Sequence, residues 1–172
     1  MCVTIGLATS SCATAEPVGA SDDATINQEI INKDISSESW SDRAREVLVN
    51  ALSLSGIKYK YGGNSPDAGF DCSGFVRYVF KQATSLTLPR TALAMSQLGT
   101  TVQKNELQPG DLVFFNTLKS TFSHVGIYLG NNRFIHSPSN GGVVRIESLN
   151  DDYWTKHYNG AQRLNTEKVP VQ

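Results

Sequence analysis

The chain has 172 residues, of which 40% are hydrophobic and 18% charged, and a formal net charge of −1. That composition suits one soluble domain with short tails. The lack of a basic run excludes a nucleic-acid binder, whose affinity would rest on clustered Lys and Arg, and no apolar run approaches the roughly 20 residues that span a bilayer as a transmembrane helix.

Residues Met1 to Ala15 are small and uncharged, with Val3-Thr4-Ile5-Gly6-Leu7-Ala8 as an apolar stretch and Ala13-Thr14-Ala15 as an A-x-A cleavage pattern. Segment 1–15 therefore reads as the back half of an export signal. Such signals open with positive charge, and the first Lys or Arg is Lys33, so either the true start lies upstream or the pattern is accidental. Ser10-Ser11-Cys12 gives a second reading, a lipoprotein site with Cys12 as the lipid anchor, although Thr9 stands where leucine is usual. Either way the chain is expected in the periplasm or cell envelope. Segment 16–39 is rich in Ser, Asp, Asn and Ala without a sustained period, which suits a tether. Residues 40–165 are the expected folded domain and 166–172 a tail. With Cys2 and Cys12 in the leader, the domain keeps one cysteine, Cys72, and has no internal disulfide to make.

Ala44, Val47, Leu48, Ala51 and Leu52 form an apolar stripe opened by Ser41 and closed by Gly56, which predicts a helix over 41–55. Ile57 to Tyr61 alternates like a strand, and Gly62-Gly63-Asn64-Ser65-Pro66-Asp67 is a turn where the backbone must pass close to something. Phe75, Val76, Val79, Phe80 and Ala83 recur at helical spacing, so a helix runs from Cys72 to about Ala83 with Asp71 as its N-cap. Another starts at Leu88-Pro89-Arg90-Thr91, buries Ala92, Leu93, Met95 and Leu98, and ends at Gly99. Pro109-Gly110-Asp111 turns into Leu112-Val113-Phe114-Phe115, an apolar run typical of a central strand. Ser123–Leu129 and Arg133–Ser137 make a hairpin about Gly130-Asn131-Asn132. A strand near Val143 to Glu147, a short helix around Asp151 to His157 and a last strand, Gly160 to Leu164, complete the domain. This is an α+β arrangement, with N-terminal helices packed on a central antiparallel sheet.

Cys72 stands in the first turn of its helix, where free N–H groups and the helix dipole favour a thiolate, so a lowered pKa and a nucleophilic role are expected. The plain alternative is a small buried hydrophobe. A thiol nucleophile needs a base and a third group that orients it. With a three-residue loop, Leu129 faces Arg133, Tyr128 faces Phe134, Ile127 faces Ile135 and Gly126 faces His136. That register puts His124 and His136 on one face as diagonal neighbours, with Gly126 leaving room for the ring. A two-residue loop would put them on opposite faces. Cys72, His124 and His136 are therefore the candidate catalytic residues, while His157, beside Lys156, reads as a surface residue. One Cys and two His could instead hold a catalytic zinc, but no C-x-x-C or H-E-x-x-H pair supports a metal, and no cofactor is expected.

YKYGG at Tyr59 to Gly63, DCSGFV at Asp71 to Val76, LPR at Leu88 to Arg90, PGDLVFF at Pro109 to Phe115, HVGIYLGNNRFIHS at His124 to Ser137 and YWTKHYNGAQRL at Tyr153 to Leu164 follow one another in that order. From about Val47 to Leu164 the chain thus resembles the NlpC family of papain-like cell-wall cysteine peptidases, and within it the Spr-type murein endopeptidases. The resemblance implies a papain-like fold with Cys72 as nucleophile, His124 as base and His136 as the residue that orients it. It also implies that Tyr59 lies against the thiol near the oxyanion, with the Cys72 N–H as another donor. Asp71 and Ser73 would touch the substrate's peptide or serve as helix caps alone. The implied substrate is the peptide stem of peptidoglycan, cut by a monomer without cofactor. Its γ-D-glutamyl-diaminopimelate and D-alanyl-diaminopimelate bonds both remain open, the Spr-type likeness leaning to the second. Two other classes stand beside this one. A non-hydrolytic cell-wall binding module would have no use for the Cys72-His124-His136 set, and a papain-like acyltransferase would pass its acyl group to an acceptor other than water.

Overall fold

A computed structural model describes residues 41–164 apart from 118, 119 and 141. The expected leader with Cys12, the tether and the tail lie outside the described residues. Helix α1 covers residues 41–53 and turns Ala44, Val47 and Ala51 inward, with Leu54 just beyond. Their spacing of three, four and three residues keeps one stripe. Leu52, expected in that stripe, is exposed, because it lies about 100° around the helix from Ala51.

The strand expected at Ile57 to Tyr61 is replaced by isolated bridges, Lys58 with Val143 and Tyr59 with Phe70. The segment changes partners midway. The Tyr59 amide donates to the Gly142 carbonyl (2.8 Å) and the Lys60 amide to the Phe70 carbonyl (3.0 Å), so neither ladder extends. Within the following turn, β1 (Asn64–Ser65) pairs antiparallel with β2 (Gly69–Phe70), a ribbon too short to be read from the sequence. Helix α2 (Cys72–Thr84) follows at once, capped by Asp71 and burying Phe75, Val76, Val79 and Phe80. Burial of side chains this size stabilises by roughly 1.5–3 kcal/mol each.

Helix α3 is a single turn, Ala92–Met95, capped by the Thr91 side chain. It was expected to reach Leu98. The Ser96 hydroxyl takes the Leu93 carbonyl (2.8 Å), and the chain tightens to Gln97-to-Ala94 and Leu98-to-Met95 bonds, which ends the helix and leaves Leu93 exposed.

The main sheet contains β3 (Thr100–Val102), β4 (Leu112–Phe115), β5 (His124–Gly130), β6 (Arg133–His136), β7 (Arg145–Ser148) and β8 (Tyr158–Arg163), in the order β3-β8-β4-β5-β6-β7. All its pairings are antiparallel. The edge strand β3 was not foreseen. β4 is buried throughout and lies between β8 and β5, as its apolar run required. Alternation along the strands then divides the core. Leu112, Phe114, Val125, Ile127 and Ile135 join the residues of α1, α2 and α3. Val113, Phe115, Tyr128 and Phe134 join Trp154 of α4 (Asp152–His157). The arrangement is α+β with the N-terminal helices on the sheet, as expected, and with α4 added on the other face. Buried Asp111 ties β4 to β8 through paired bonds from Arg163, both 2.8 Å.

Two glycine-rich segments meet behind Cys72. A Cβ on Gly74 would lie 2.1 Å from the Gly63 carbonyl oxygen, so the close approach expected of the turn is made onto the first turn of α2. Gly74→Ala should therefore force the two apart and lower the unfolding free energy by about 1–3 kcal/mol, as overpacking does elsewhere. Denaturant titration measures this; a variant of unchanged midpoint would contradict the packing described.

Candidate active site

The Cys72 turn is fixed by Asp71. Its carboxylate accepts from the Gly74 amide (2.7 Å) and the Gly62 amide (3.1 Å), and Arg90 binds both of its oxygens. Arg90 also donates to the Ser73 hydroxyl (2.9 Å). These bonds account for Asp71 and Ser73 as cap and clamp. One residue earlier, the Phe70 carbonyl accepts from buried Ser137 (2.8 Å), which ties the start of α2 to the chain just beyond β6. The amide of Val125 reaches the Cys72 sulfur, so α2 begins against the first residues of β5.

β5 and β6 pair Ile127 with Ile135 and Tyr128 with Phe134, as expected, but Gly130 rather than Leu129 faces Arg133. The connection is a two-residue turn, Asn131-Asn132, with φ of 51° and 55°. Leu129 is a bulge that restores the register a three-residue loop would have given. The histidines consequently share a face, and His124 Nε2 lies 2.8 Å from His136 Nδ1 with the rings nearly perpendicular. A Cβ on Gly126 would meet the Phe134 ring at 2.8 Å and His136 Cβ at 3.2 Å, so the glycine makes room for both side chains.

His136 Nε2 lies 3.6 Å from the Glu147 carboxylate, which also accepts from Arg145 Nε and Trp154 Nε1. Only one proton arrangement lets His124 act as a base. Its Nδ1 keeps a lone pair, its Nε2–H donates to His136 Nδ1, and the His136 Nε2–H points at Glu147. The anion fits this. His136 first, then Arg145 and Trp154, hold the Glu147 carboxyl down to about 2. Trp154 stacks on His124 and meets His136 edge to face, covering the pair.

Burial pushes His124 down to about 3 and also lowers His136, so both are neutral near pH 7. For Cys72 the expected lowering is corrected. Burial and then the Asp71 charge push the thiol up, and the amides of Val125, Ser73 and Cys72 only partly offset this. Desolvation and the charge of the carboxylate that caps the helix together outweigh the helix terminus. Tyr59 is raised by burial and by the charges of Cys72 and Asp71, which keeps its phenol a donor.

Sequence reasoning missed Arg90, Glu147, Trp154 and Arg145. Arg145 and Glu147 lie two apart on β7, opposite His136 and Phe134. An acid and a base at period two on the strand beside His136 were the available signal. Trp154 was visible only inside the YWTKHYN motif, and Arg90 only in the LPR motif at a helix start. A zinc site of Cys72 with both histidines is not assembled, since the histidines spend facing nitrogens on each other. Among the described residues no group of three or more His, Cys, Asp or Glu side chains is placed to hold an ion. His157 sits apart, against the Tyr153 carbonyl (2.7 Å).

Compared with known proteins, residues 56–163 match the sequence model of the NlpC/P60 family. The chain is 45% identical over 131 residues to murein DD-endopeptidase MepH of Escherichia coli strain K12, a match covering 74% of this chain and 48% of that protein. It is 45% identical over 109 residues to murein DD-endopeptidase MepS/murein LD-carboxypeptidase of the same organism, covering 63% and 56%. The chain thus spans about half the length of these relatives. Among solved structures, an NlpC/P60 family protein from Bacillus cereus ATCC 10987 matches with a TM-score of 0.66 and 35% identity, over 71% of this chain and 40% of that one.

A protonated resting thiol has a kinetic signature. The alkylation rate of Cys72 by iodoacetamide should rise about tenfold per pH unit from pH 6 into the alkaline range, following the thiolate fraction. A plateau between pH 5 and 7 would instead mean a thiolate–imidazolium pair at rest.

Proposed function

From its membership of the NlpC/P60 family, to which this chain belongs, we propose that it is a cysteine endopeptidase hydrolysing amide bonds in the peptide stems or cross-links of peptidoglycan. The observation that carries this reading is the 2.8 Å contact between His124 and His136 on β5 and β6, with Cys72 set against the start of the same β5. Murein DD-endopeptidase is the activity in the names of both relatives above, which supports the D-alanyl-diaminopimelate cross-link as the bond. In this role the chain is exported to the cell envelope as a monomer. Residues 1–15 direct export, 16–39 tether the catalytic domain of 40–165, and Cys12 is the point of lipid attachment if the leader is of the lipoprotein kind.

The chemistry follows from the proton positions. Cys72 Sγ attacks the amide carbon as its proton passes to His124 Nδ1, so sulfur and imidazole charge together rather than beforehand. The positive charge that forms on His124 is shared through His136 toward Glu147. The oxyanion is met by the Cys72 N–H and by the Tyr59 phenol. The C–N bond then breaks, His124 gives its proton to the departing nitrogen, and water attacks the thioester to release the acid and restore the thiol.

Mass spectrometry of peptidoglycan digested by the full chain tests this directly. Cross-linked dimers should disappear, and the loss should be abolished by Cys72→Ala, by His124→Ala and by iodoacetamide but not by a chelator. Unchanged muropeptides with retained binding to sacculi would overturn the reading and leave a wall-binding module. Glu147→Gln should lower kcat by about tenfold with KM little changed, since roughly 1.4 kcal/mol of support is lost only when the imidazolium forms. An equal fall in substrate affinity would contradict the role given to Glu147.

A further inference from the structure

A cavity of about 240 Å³ opens beside His124, lined by Thr117, Asn140, Arg145, Tyr153 and Trp154 among others. It has room for a single amino-acid residue. Arg145 is the one side chain of fixed charge among the described residues that line it, and no carboxylate does. Arg145 spends only Nε on Glu147, and no described residue accepts from Nη1 or Nη2, while its side chain is 41% exposed. Arginine has five N–H donors in a planar fork, so the bond to Glu147 aims the outer edge without occupying it. A second polar group is also unspent: Thr117 lines the cavity, and its Oγ1, buried just behind the wall, lacks a partner. Trp154 and Tyr153 supply ring faces.

The place of the cavity decides which part of a substrate enters it. His124 delivers a proton to the departing nitrogen and also lines this cavity, so the atoms bonded to that nitrogen are the part of the substrate brought nearest to it. When the departing piece is an amino acid with an unblocked carboxyl, that carboxylate sits one carbon from the nitrogen. An arginine fork with a nearby hydroxyl is the donor set for it, and the bidentate pair is among the stronger charge-assisted contacts. We infer that the cavity is the leaving-group subsite and that Arg145, with Thr117, recognises a free carboxylate on the carbon next to the departing nitrogen. The inference rests on the peptidase reading above. The same carboxylate occurs on a diaminopimelate released from a cross-link and on a terminal residue released from a stem, and the experiment separates the two.

Four synthetic substrates suffice: a cross-linked dimer with that diaminopimelate carboxyl free or amidated, and a stem peptide with its terminal carboxyl free or amidated. Amidation should lower kcat/KM at least about tenfold, mostly through KM, in whichever pair the subsite serves. Arg145→Gln and Thr117→Val should bring the acid down toward the amide, and Arg145→Lys should keep part of the difference. Equal cleavage of acid and amide, or a preference that survives Arg145→Gln, would overturn the subsite. Binding of the same peptides to the full-length Cys72→Ala chain reads the site apart from turnover. Preference for the acid there, lost in the Cys72→Ala/Arg145→Gln chain, supports the subsite even if the unaltered chain cleaves nothing and the peptidase reading fails. Equal binding of acid and amide overturns it.

Discussion

One carboxylate holds the Cys72 turn in place. Asp71 caps α2, pins the Gly62 amide and binds Arg90, which reaches on to Ser73. An N-cap of this kind is worth about 1 kcal/mol, and the ion pair adds modestly because Arg90 is partly exposed. The larger consequence is positional. Cys72 follows Asp71 directly, and the glycines at 63 and 74 let the two segments close behind it. That support has an electrostatic cost, for the same negative charge raises the thiol.

The histidines resolve this cost. A buried neutral His124 does not take a second proton at rest, and a half-buried thiol beside a carboxylate does not give one up, so the ground state is uncharged. In the proposed reaction charge separates only in the reacting complex, where the imidazolium formed on His124 is linked through His136 toward Glu147, which accepts. Glu147 is ready for that moment because His136, Arg145 and Trp154 hold it as an anion. In a site of low dielectric such preorganised groups act more strongly than they would in water. Arg145 bonds Glu147 through Nε and also lines the cavity beside His124.

Much of this was legible in the sequence because it was periodic. The faces of α2 and β4, the Asp71 cap and the shared face of His124 and His136 all follow from spacing of apolar residues. The hairpin shows the limit. Pairing of Ile127 and Tyr128 was right while the loop was not, because a two-residue turn plus a bulge at Leu129 gives the same register as three loop residues. Glu147, Trp154 and Arg90 were not legible, since each acts through a long-range contact that no local pattern encodes. The thiol's direction of shift was misread for a related reason: the helix terminus is a local feature, and the burial that outweighs it is not.

In the proposed reaction Cys72 is acylated while His124 carries the proton to the departing amine. Acid-quenched single turnovers with the full chain in excess over a cross-linked stem peptide, analysed by intact mass and peptide mapping, test it most directly. A transient thioester on the Cys72 peptide is expected, formed together with the amine fragment and decaying to free acid. Cleavage that goes to completion with Cys72 unmodified at every time point, or an adduct on another residue, would contradict it.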